Sequence, residues 1–273
     1  EARLRSGVTT TILEAILFGA VQGATEFLPV SSSGHLAVLK TILDLNEVPI
    51  LFDVILHVAT LIVVLIVFRK RVARILVSLG RWIARRATEE DAPNLRLAWV
   101  TVITTVVTGV IGVLLNDLDI GTQPKIVSAL FLVTAGILIG AHFLRGSRDY
   151  RSIGLRDALV VGAAQGLGVL PGISRSGITI SASLASGLNR EQAGEFAFVV
   201  SIPAVLGALV LTLRDAGDLA AVVGAPALIV GFVSAFLIGL VSLLLLLRLI
   251  RGGKLFYFSF YLIPIGIAGL ILL

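Results

Sequence analysis

The chain has no cysteine and no methionine among its 273 residues, and 14% of its residues are charged. Without cysteine it can form no disulfide, no thiolate metal site and no cysteine nucleophile. The lack of methionine, including an initiator, indicates a trimmed or engineered chain. The low charge accompanies 57% hydrophobic residues and a mean hydropathy of +1.03, more apolar surface than one soluble core can bury. The composition therefore predicts a single membrane domain over residues 1–273.

Six apolar segments are long enough to cross the hydrocarbon core, which takes roughly 20 residues of helix. They are 50–68, 97–115, 126–144, 196–213, a stretch within 219–247, and 255–273. Two further apolar regions, near 9–45 and 158–188, are interrupted by proline and glycine. Short helices broken in this way are typical of re-entrant hairpins, whose irregular backbone must face protein or a cavity. We therefore predict an all-α polytopic membrane protein with six transmembrane helices and two re-entrant helix hairpins.

Lysine and arginine are concentrated in three of the connections. Residues 69–96 hold eight, residues 145–156 hold four, and Arg248, Arg251 and Lys254 add three. Six crossings place these three groups on one face, which the positive-inside rule makes cytoplasmic. Both termini are then predicted to lie outside. Because the net charge of +5 is explained by topology, we expect no nucleic-acid partner.

The sequence repeats weakly at an offset of 143 residues. The aligned pairs include Gln22 with Gln165, Ser31 with Ser174, Ser33 with Ser176, and Gly34 with Gly177. We predict two related halves, about 9–144 and 152–273, each with one hairpin and three crossings. An odd number of crossings inverts the second half, and inverted repeats bring their broken helices together near the midplane. The alternative is chance recurrence of small residues, which are common in membrane helices.

The second interruption, PGISRSGIT, ends at Thr179 and places one guanidinium among hydroxyls and glycines just before a helical run. A helix N-terminus offers N–H groups to an anion, and arginine can hold a phosphate with two parallel hydrogen bonds. The pattern predicts a phosphate site formed by Arg175 with Ser174, Ser176 and Thr179. The alternative is a structural ion pair of Arg175 with Glu26, because an arginine at membrane depth needs a partner or a polar cavity.

The first interruption carries groups suited to proton transfer and nucleophilic attack. Gln22 and Glu26 are four residues apart and share a helix face. Glu26 is a candidate proton acceptor or ligand of a divalent cation, and His35 is a candidate general acid or base. Ser31 and Ser32 are candidate nucleophiles. Serine and histidine in membrane helices often make only structural hydrogen bonds, so the prediction depends on their combination.

Other polar residues of the apolar segments are interpreted as structural. Asp53 and His57, also four residues apart, are predicted to be a local pair beside the site and not catalytic groups. Glu14 and Asp157 occupy matching positions of the repeat, which suggests helix capping. We assign no role to Glu195.

The two interruptions closely resemble the signatures of the undecaprenyl-pyrophosphate phosphatase family, the membrane enzymes linked to bacitracin resistance. The first family motif is Glu-or-Gln, three residues, Glu, running into Pro-Val-Ser-Ser-x-Gly-His, and it is matched from Gln22 to His35. The second, Pro-Gly-x-Ser-Arg-Ser-x-x-Thr, is matched from Pro171 to Thr179. The length and the pattern of spans also fit over essentially the whole chain. Gln22 stands where some members have glutamate, which leaves one fewer carboxylate for a metal.

The resemblance implies hydrolysis of a C55 polyprenyl diphosphate to the monophosphate and inorganic phosphate, which recycles the lipid carrier for cell-wall synthesis. It implies a site open to the outer face of a bacterial cytoplasmic membrane, with a core of Glu26, Ser32, His35 and Arg175. Beside this core it implies Gln22, Ser31, Ser174, Ser176 and Thr179. It also implies a divalent cation, Mg²⁺ or Ca²⁺, although one carboxylate makes no dedicated cage and Mg²⁺ prefers substrate phosphates and water.

Transport is the main alternative function, since broken helices in inverted repeats are typical of secondary transporters and such a protein could flip a polyprenyl-phosphate lipid. Intramembrane proteolysis leaves Arg175 unexplained, and a membrane scaffold predicts no polar cluster. The expected partners are the polyprenyl-diphosphate substrate and the lipid bilayer. A homodimer is considered, but the oligomeric state, like the choice between Ser32 and water as nucleophile, stays open at this point.

Overall fold

The computed structural model of the chain describes residues 11–42, 50–115, 118, 120–215 and 224–273. Within them, eleven α-helices follow one another, and the predicted all-α fold class is confirmed. The helices are α1 Ile12–Phe27, α2 Ser32–Ile42, α3 Ile50–Val67, α4 Arg69–Ile83, α5 Ala92–Leu115, α6 Pro124–His142, α7 Leu155–Leu167, α8 Arg175–Ala185, α9 Arg190–Asp215, α10 Ala225–Arg251 and α11 Ser259–Leu272. The predicted limits at residues 9 and 219 lie outside the described part of the chain.

Five helices are long and apolar enough to cross a membrane: α5, α6, α9, α10, and α11 together with the turn that precedes it. The sixth candidate is α3 taken together with α4, and the two are bent by 75° at their junction. Each predicted crossing overlaps α3 or one of these five helices. The chain is therefore a membrane protein with several spanning helices, and the re-entrant nature of the broken pairs α1–α2 and α7–α8 stays a prediction.

The segment 69–96, predicted to be a basic loop, contains α4 instead. Arginines such as Arg74 and large apolar side chains such as Leu76 and Trp82 are all exposed on this helix. Basic and apolar residues repeat with helical spacing, a pattern typical of a helix that lies along a membrane interface. The 75° bend at Phe68 separates α3 from this helix.

The first helix of each broken pair begins with an acidic cap. Glu14 accepts a hydrogen bond from the Thr11 N–H at 2.9 Å, and Asp157 accepts one from the Gly154 N–H at 2.8 Å. The capping prediction for Glu14 and Asp157 is confirmed. Asp157 also forms an ion pair with Arg148, at 2.9 Å, which ties the start of α7 to the preceding basic segment.

Each of these capped helices packs on a helix of the other half of the chain. Helix α1 lies against α10, where a Cβ added at Gly23 would be 2.5 Å from the Ala235 carbonyl oxygen. Helix α7 lies against α5, where a Cβ added at Gly166 would be 2.6 Å from the Ile111 Cβ. Gly23 and Gly166 are separated by the repeat offset of 143 residues. Small residues thus let both helices approach closely at equivalent positions, and this exchange packs the two halves of the chain together.

The basic segments contact one another at one end of the helices. Arg96, at the start of α5, donates a hydrogen bond to the Arg151 carbonyl. Arg190, at the start of α9, donates one to the Leu144 carbonyl at 3.2 Å. Arg251, at the end of α10, lies 3.5 Å from Glu191. Two of the predicted basic groups, 69–96 and 145–156, therefore meet directly, and Arg251 of the third contacts the start of α9, which was not part of that prediction.

Candidate active site

The two helix breaks contact each other directly through Ser31. Its hydroxyl accepts hydrogen bonds from the Gly172 N–H at 3.0 Å and from the Gly34 N–H at 3.3 Å. Ser31 has a φ of +71°, a region that residues other than glycine seldom adopt. At the equivalent position of the second break, the Ser174 hydroxyl accepts from the Gly177 N–H at 3.1 Å and caps α8. Ser31 therefore caps its own helix and fastens it to the second loop.

The second loop is fixed from its other side by α6. Thr134 donates a hydrogen bond to the Gly172 carbonyl at 2.9 Å and accepts one from the Ser174 N–H at 3.1 Å. Gly172 has a φ of +99°, and a Cβ there would be 2.5 Å from the Val127 carbonyl oxygen. Only glycine combines this backbone conformation with this close approach. Both breaks are thus held rigidly where they meet.

Glu26, near the end of α1, connects three predicted site residues. Its carboxylate forms an ion pair with the Arg175 guanidinium. It also accepts a hydrogen bond from the Ser32 hydroxyl at 2.7 Å and one from the Gln22 amide at 3.0 Å. The ion pair considered from the sequence is therefore present. Arg175 uses one terminal nitrogen for it, and a guanidinium has five N–H donors in all.

Glu26, Ser32 and Arg175 line a cleft of about 170 Å³. Its lining consists of Thr25, Glu26, Ser31, Ser32, Ser33, His57, Gly168, Val169, Ile173, Ser174 and Arg175. Helix α8 begins at Arg175, so the positive end of its dipole lies at the cleft. A guanidinium, a helix N-terminus and several hydroxyls are the groups that bind a phosphate, while Glu26 beside a serine can accept a proton.

Three other predicted phosphate-binding residues do not line the cleft. Gln22 is fully buried and acts on the site through its hydrogen bond to Glu26. Ser176 is buried, with its hydroxyl 3.2 Å from that of Ser174. The buried Thr179 hydroxyl has no hydrogen-bond partner among the described residues. Ser176 and Thr179 are both buried in α8, and neither belongs to the cleft lining.

His35 also lies outside the cleft lining, against α11. Its Nδ1 is 2.8 Å from the Ser31 carbonyl oxygen, and its Nε2 is 2.8 Å from the Tyr261 hydroxyl. The carbonyl can only accept, so Nδ1 carries the proton and Nε2 accepts from Tyr261 in the neutral ring. The ring stacks on Tyr261 with centroids 5.6 Å apart. These contacts fix the first loop, and the acid–base role predicted for His35 stays a prediction.

The histidine that borders the cleft is His57 on α3. Its Nδ1 is 2.8 Å from the Asp53 main-chain carbonyl oxygen, while the Asp53 carboxylate forms an ion pair with Lys40 at 2.7 Å. The predicted local pair thus involves the backbone of Asp53 and not its carboxylate. The four-residue spacing indicated the helix contact, and α3 brings His57 to the two loops, beside the site as predicted.

A second cavity of about 370 Å³ shares Arg175, His57 and Val169 with the cleft. Most of its other walls are apolar side chains of α3 and α9, and its polar lining groups include Thr108 and Gln165. The Gln165 amide donates a hydrogen bond to the Thr108 hydroxyl at 3.1 Å. Arg175 and His57 therefore stand at the junction of a small polar cleft and a larger, mainly apolar cavity.

Among the described side chains, no group of three or more His, Cys, Asp or Glu residues is arranged to hold a metal ion. Glu26 is the one carboxylate in the lining of the cleft, and it already contacts Arg175, Ser32 and Gln22. These residues do not form a protein cage for Mg²⁺ or Ca²⁺, which take several oxygen ligands.

Comparison with known proteins finds relatives over nearly the whole chain. A sequence profile of the family described as "Bacitracin resistance protein BacA" matches residues 15–268. The chain is 48% identical over 257 residues to a protein of Treponema denticola named undecaprenyl-diphosphatase, covering 94% of this chain and 96% of the relative. Proteins of the same name from Korarchaeum cryptofilum, 40% identical, and Methanosphaera stadtmanae, 39% identical, each cover 96% of this chain, with 99% and 98% of their own lengths matched.

Proposed function

This chain belongs to the BacA family of bacitracin resistance proteins, and we propose on that basis that it is an undecaprenyl-diphosphatase. It hydrolyses undecaprenyl diphosphate to the monophosphate and inorganic phosphate, and so recycles the lipid carrier for cell-wall synthesis. The observation that carries this function is the contact of Glu26 with both Ser32 and Arg175 in one cleft. The three residues supply a base, a nucleophile and a phosphate ligand.

Arg175 is the proposed ligand of the terminal phosphoryl group. Arg175 lines the cleft at the amino end of α8, and a guanidinium beside a helix N-terminus can hold negative charge. Phosphoryl transfer passes through a loose transition state with charge on the equatorial oxygens, so fixed donors of this kind lower the barrier by electrostatic stabilisation. Ser31 and Ser174 contribute by holding the loop that carries Arg175.

Ser32 is the proposed nucleophile and Glu26 its base. The Ser32 Oγ proton passes to Glu26 Oε2, 2.7 Å away, as Oγ attacks the terminal phosphorus. The bond from that phosphorus to the bridging oxygen breaks, and undecaprenyl monophosphate leaves. A water molecule then hydrolyses the phosphoserine and releases inorganic phosphate. The direct hydrogen bond from Ser32 to Glu26 favours this route over direct activation of water, which would leave that bond without a role in the reaction.

We propose that the divalent cation implied by the family resemblance enters with the substrate. Mg²⁺ keeps several waters and binds phosphate oxygens readily. Glu26 is a single carboxylate that already binds Arg175, so the protein supplies few ligands for the cation. We assign no step of the reaction to the cation.

The cleft is proposed to open on the face opposite the basic segments. Thr108 on α5 and Ala208 on α9 line the second cavity, and both lie roughly 25 Å along their helices from the basic end, at 1.5 Å per residue. With the basic face in the cytoplasm, substrate enters from the outer leaflet, and both termini lie outside. The homodimer considered from the sequence stays a prediction.

Product analysis tests the assignment. Purified protein in detergent, supplied with Mg²⁺ and undecaprenyl diphosphate, is expected to yield one inorganic phosphate and one undecaprenyl monophosphate per turnover. Release of inorganic diphosphate, which cleavage at the carbon–oxygen bond would give, or no release from folded protein, contradicts it.

A further inference from the structure

The reaction proposed above has a base for the nucleophile but no donor for the leaving group. When the bond to the bridging oxygen breaks, its electron pair goes to the oxygen of undecaprenyl monophosphate. A positioned acid that supplies a proton to this oxygen lowers the barrier. Glu26 faces Ser32 and takes a proton in the same step, and the Arg175 guanidinium keeps its protons.

His57 stands where such an acid is needed. It lines both the polar cleft, which holds Ser32, and the larger apolar cavity, and it shares this position with Arg175. A diphosphate whose terminal phosphorus lies beside Ser32, with its prenyl chain in the apolar cavity, has its bridging oxygen at this junction. The apolar wall of the cavity, which includes Val54, Val205 and Leu209, suits the first isoprene units.

The orientation of the His57 ring is set by its own helix. Nδ1 lies 2.8 Å from the Asp53 carbonyl oxygen, which can only accept, so Nδ1 carries a proton in every protonation state of the ring. Nε2 is on the opposite side of the ring and points away from the α3 backbone. The half-buried ring therefore offers Nε2 to the cavities. In the imidazolium form Nε2 carries the proton that can be transferred.

Each of the other titratable groups near this junction has a charged or hydrogen-bonding partner. Asp53 lines the larger cavity, with Oδ2 in an ion pair with Lys40 and a buried Oδ1 that has no hydrogen-bond partner among the described residues. Glu26 binds Arg175, and both nitrogens of His35 are engaged by Ser31 and Tyr261. Histidine changes its charge between pH 5 and 8 and is suited to proton transfer in both directions.

We propose that His57 is the general acid of the reaction, which donates its Nε2 proton to the bridging oxygen as undecaprenyl monophosphate leaves. In the second step the neutral Nε2 takes a proton from the water that attacks the phosphoserine, which restores the imidazolium. Glu26 returns its proton to Ser32. This inference rests on the proposed function and adds a residue that neither loop motif contains.

The test uses variants of His57 that distinguish the contact of Nδ1 with the Asp53 carbonyl oxygen from the role of Nε2. His57→Asn keeps an amide N–H near the position of Nδ1, and so retains the bond to Asp53, but it removes Nε2. His57→Ala removes both groups and leaves space for free imidazole. His142→Asn is the matched control, since His142 lies 3.3 Å from the Gly253 carbonyl oxygen and lines neither cavity.

The expected result is a loss in kcat of about 100-fold or more for both His57 variants, with KM nearly unchanged, because a general acid contributes roughly 10²–10⁴-fold. Added imidazole is expected to restore part of the kcat of His57→Ala, and His142→Asn is expected to stay within twofold of wild type. A purely structural His57 predicts near-normal kcat for His57→Asn and no imidazole effect in His57→Ala, and either result overturns the proposal.

The same assay separates this proposal from the function on which it rests. Wild-type protein that releases no phosphate overturns both. Wild-type release that His57→Asn retains overturns the role of His57 alone and leaves the phosphatase assignment standing.

Discussion

Ser32 is held for attack by a single charged neighbour. Its hydroxyl donates to Glu26 at 2.7 Å, and Glu26 is in turn held by Arg175 and Gln22. Removal of the Ser32 hydroxyl leaves these other contacts of Glu26 in place. A loss of activity in Ser32→Ala would therefore come from the missing nucleophile and not from a change in the fold. The same cannot be done at Ser31, whose hydroxyl joins the two loops.

Ser32→Ala is expected to lower kcat by about 1,000-fold or more while the protein stays folded, because loss of a nucleophile removes the covalent route. Phosphate release from undecaprenyl diphosphate measures this, with Ser234→Ala on α10 as a control that leaves activity unchanged. Retention of most of the turnover by Ser32→Ala would show that water attacks directly.

The sequence was sufficient to predict that the two loops meet, because an arginine at membrane depth is costly unless it is paired or faces a polar cavity. It could not rank residues within the loops. Ser176 and Thr179 are buried in α8 outside the cleft lining, and His35 is turned toward Tyr261. His57 comes from a third element, and its place depends on packing that no local pattern records.

At the scale of the helices, the breaks depend on close contacts at a few positions. Gly172 combines a left-handed backbone with a Cβ position 2.5 Å from the Val127 carbonyl oxygen. Gly136 lies on α6, the helix that contains Val127, and a Cβ added at Gly136 would meet nothing within 4 Å. The two glycines make a matched pair for testing whether the break is rigid.

Gly172→Ala is expected to destabilise the protein by at least about 1–3 kcal/mol, the usual range for a strained backbone conformation, and to abolish activity. Gly136→Ala is expected to be neutral or slightly stabilising, since alanine is the better helix former. Thermal unfolding in detergent compares the two. Equal melting temperatures for Gly172→Ala and wild type would contradict the rigid loop described above.

The helix positions also show where sequence reasoning works and where it fails. The six long apolar segments and the two breaks were predicted because each depends on local hydropathy and on proline or glycine. Helix α4 was missed because hydropathy alone treats its arginines as a loop. Its amphipathic period and the bend at Phe68 are features of the helix and its neighbours.

In the described part of the molecule, basic residues are concentrated at one end, where Arg96, Arg190 and Arg251 contact neighbouring segments. The proposed orientation puts this end in the cytoplasm and the cleft toward the outside. The absence of cysteine from the whole chain allows a direct test, because each introduced cysteine is the only thiol present.

Arg86→Cys, at the exposed basic end, is expected to be protected from a membrane-impermeant maleimide in intact cells and labelled after lysis. Lys125→Cys, exposed near the start of α6 at the other end, is expected to be labelled in intact cells. The reverse pattern would place the cleft on the cytoplasmic side and contradict the proposed entry of substrate from the outer leaflet.

The central claim is that Arg175 binds the phosphoryl group in the cleft and is more than the structural partner of Glu26. The most direct measurement is phosphate release from undecaprenyl diphosphate by Arg175→Ala, with the exposed Arg156→Ala as control and thermal unfolding to confirm that both are folded. Loss of a donor that stabilises a transition state costs about 10²–10³-fold in kcat. We expect at least this loss for Arg175→Ala and none for Arg156→Ala, whereas a folded Arg175→Ala protein with near-normal phosphate release would contradict the account.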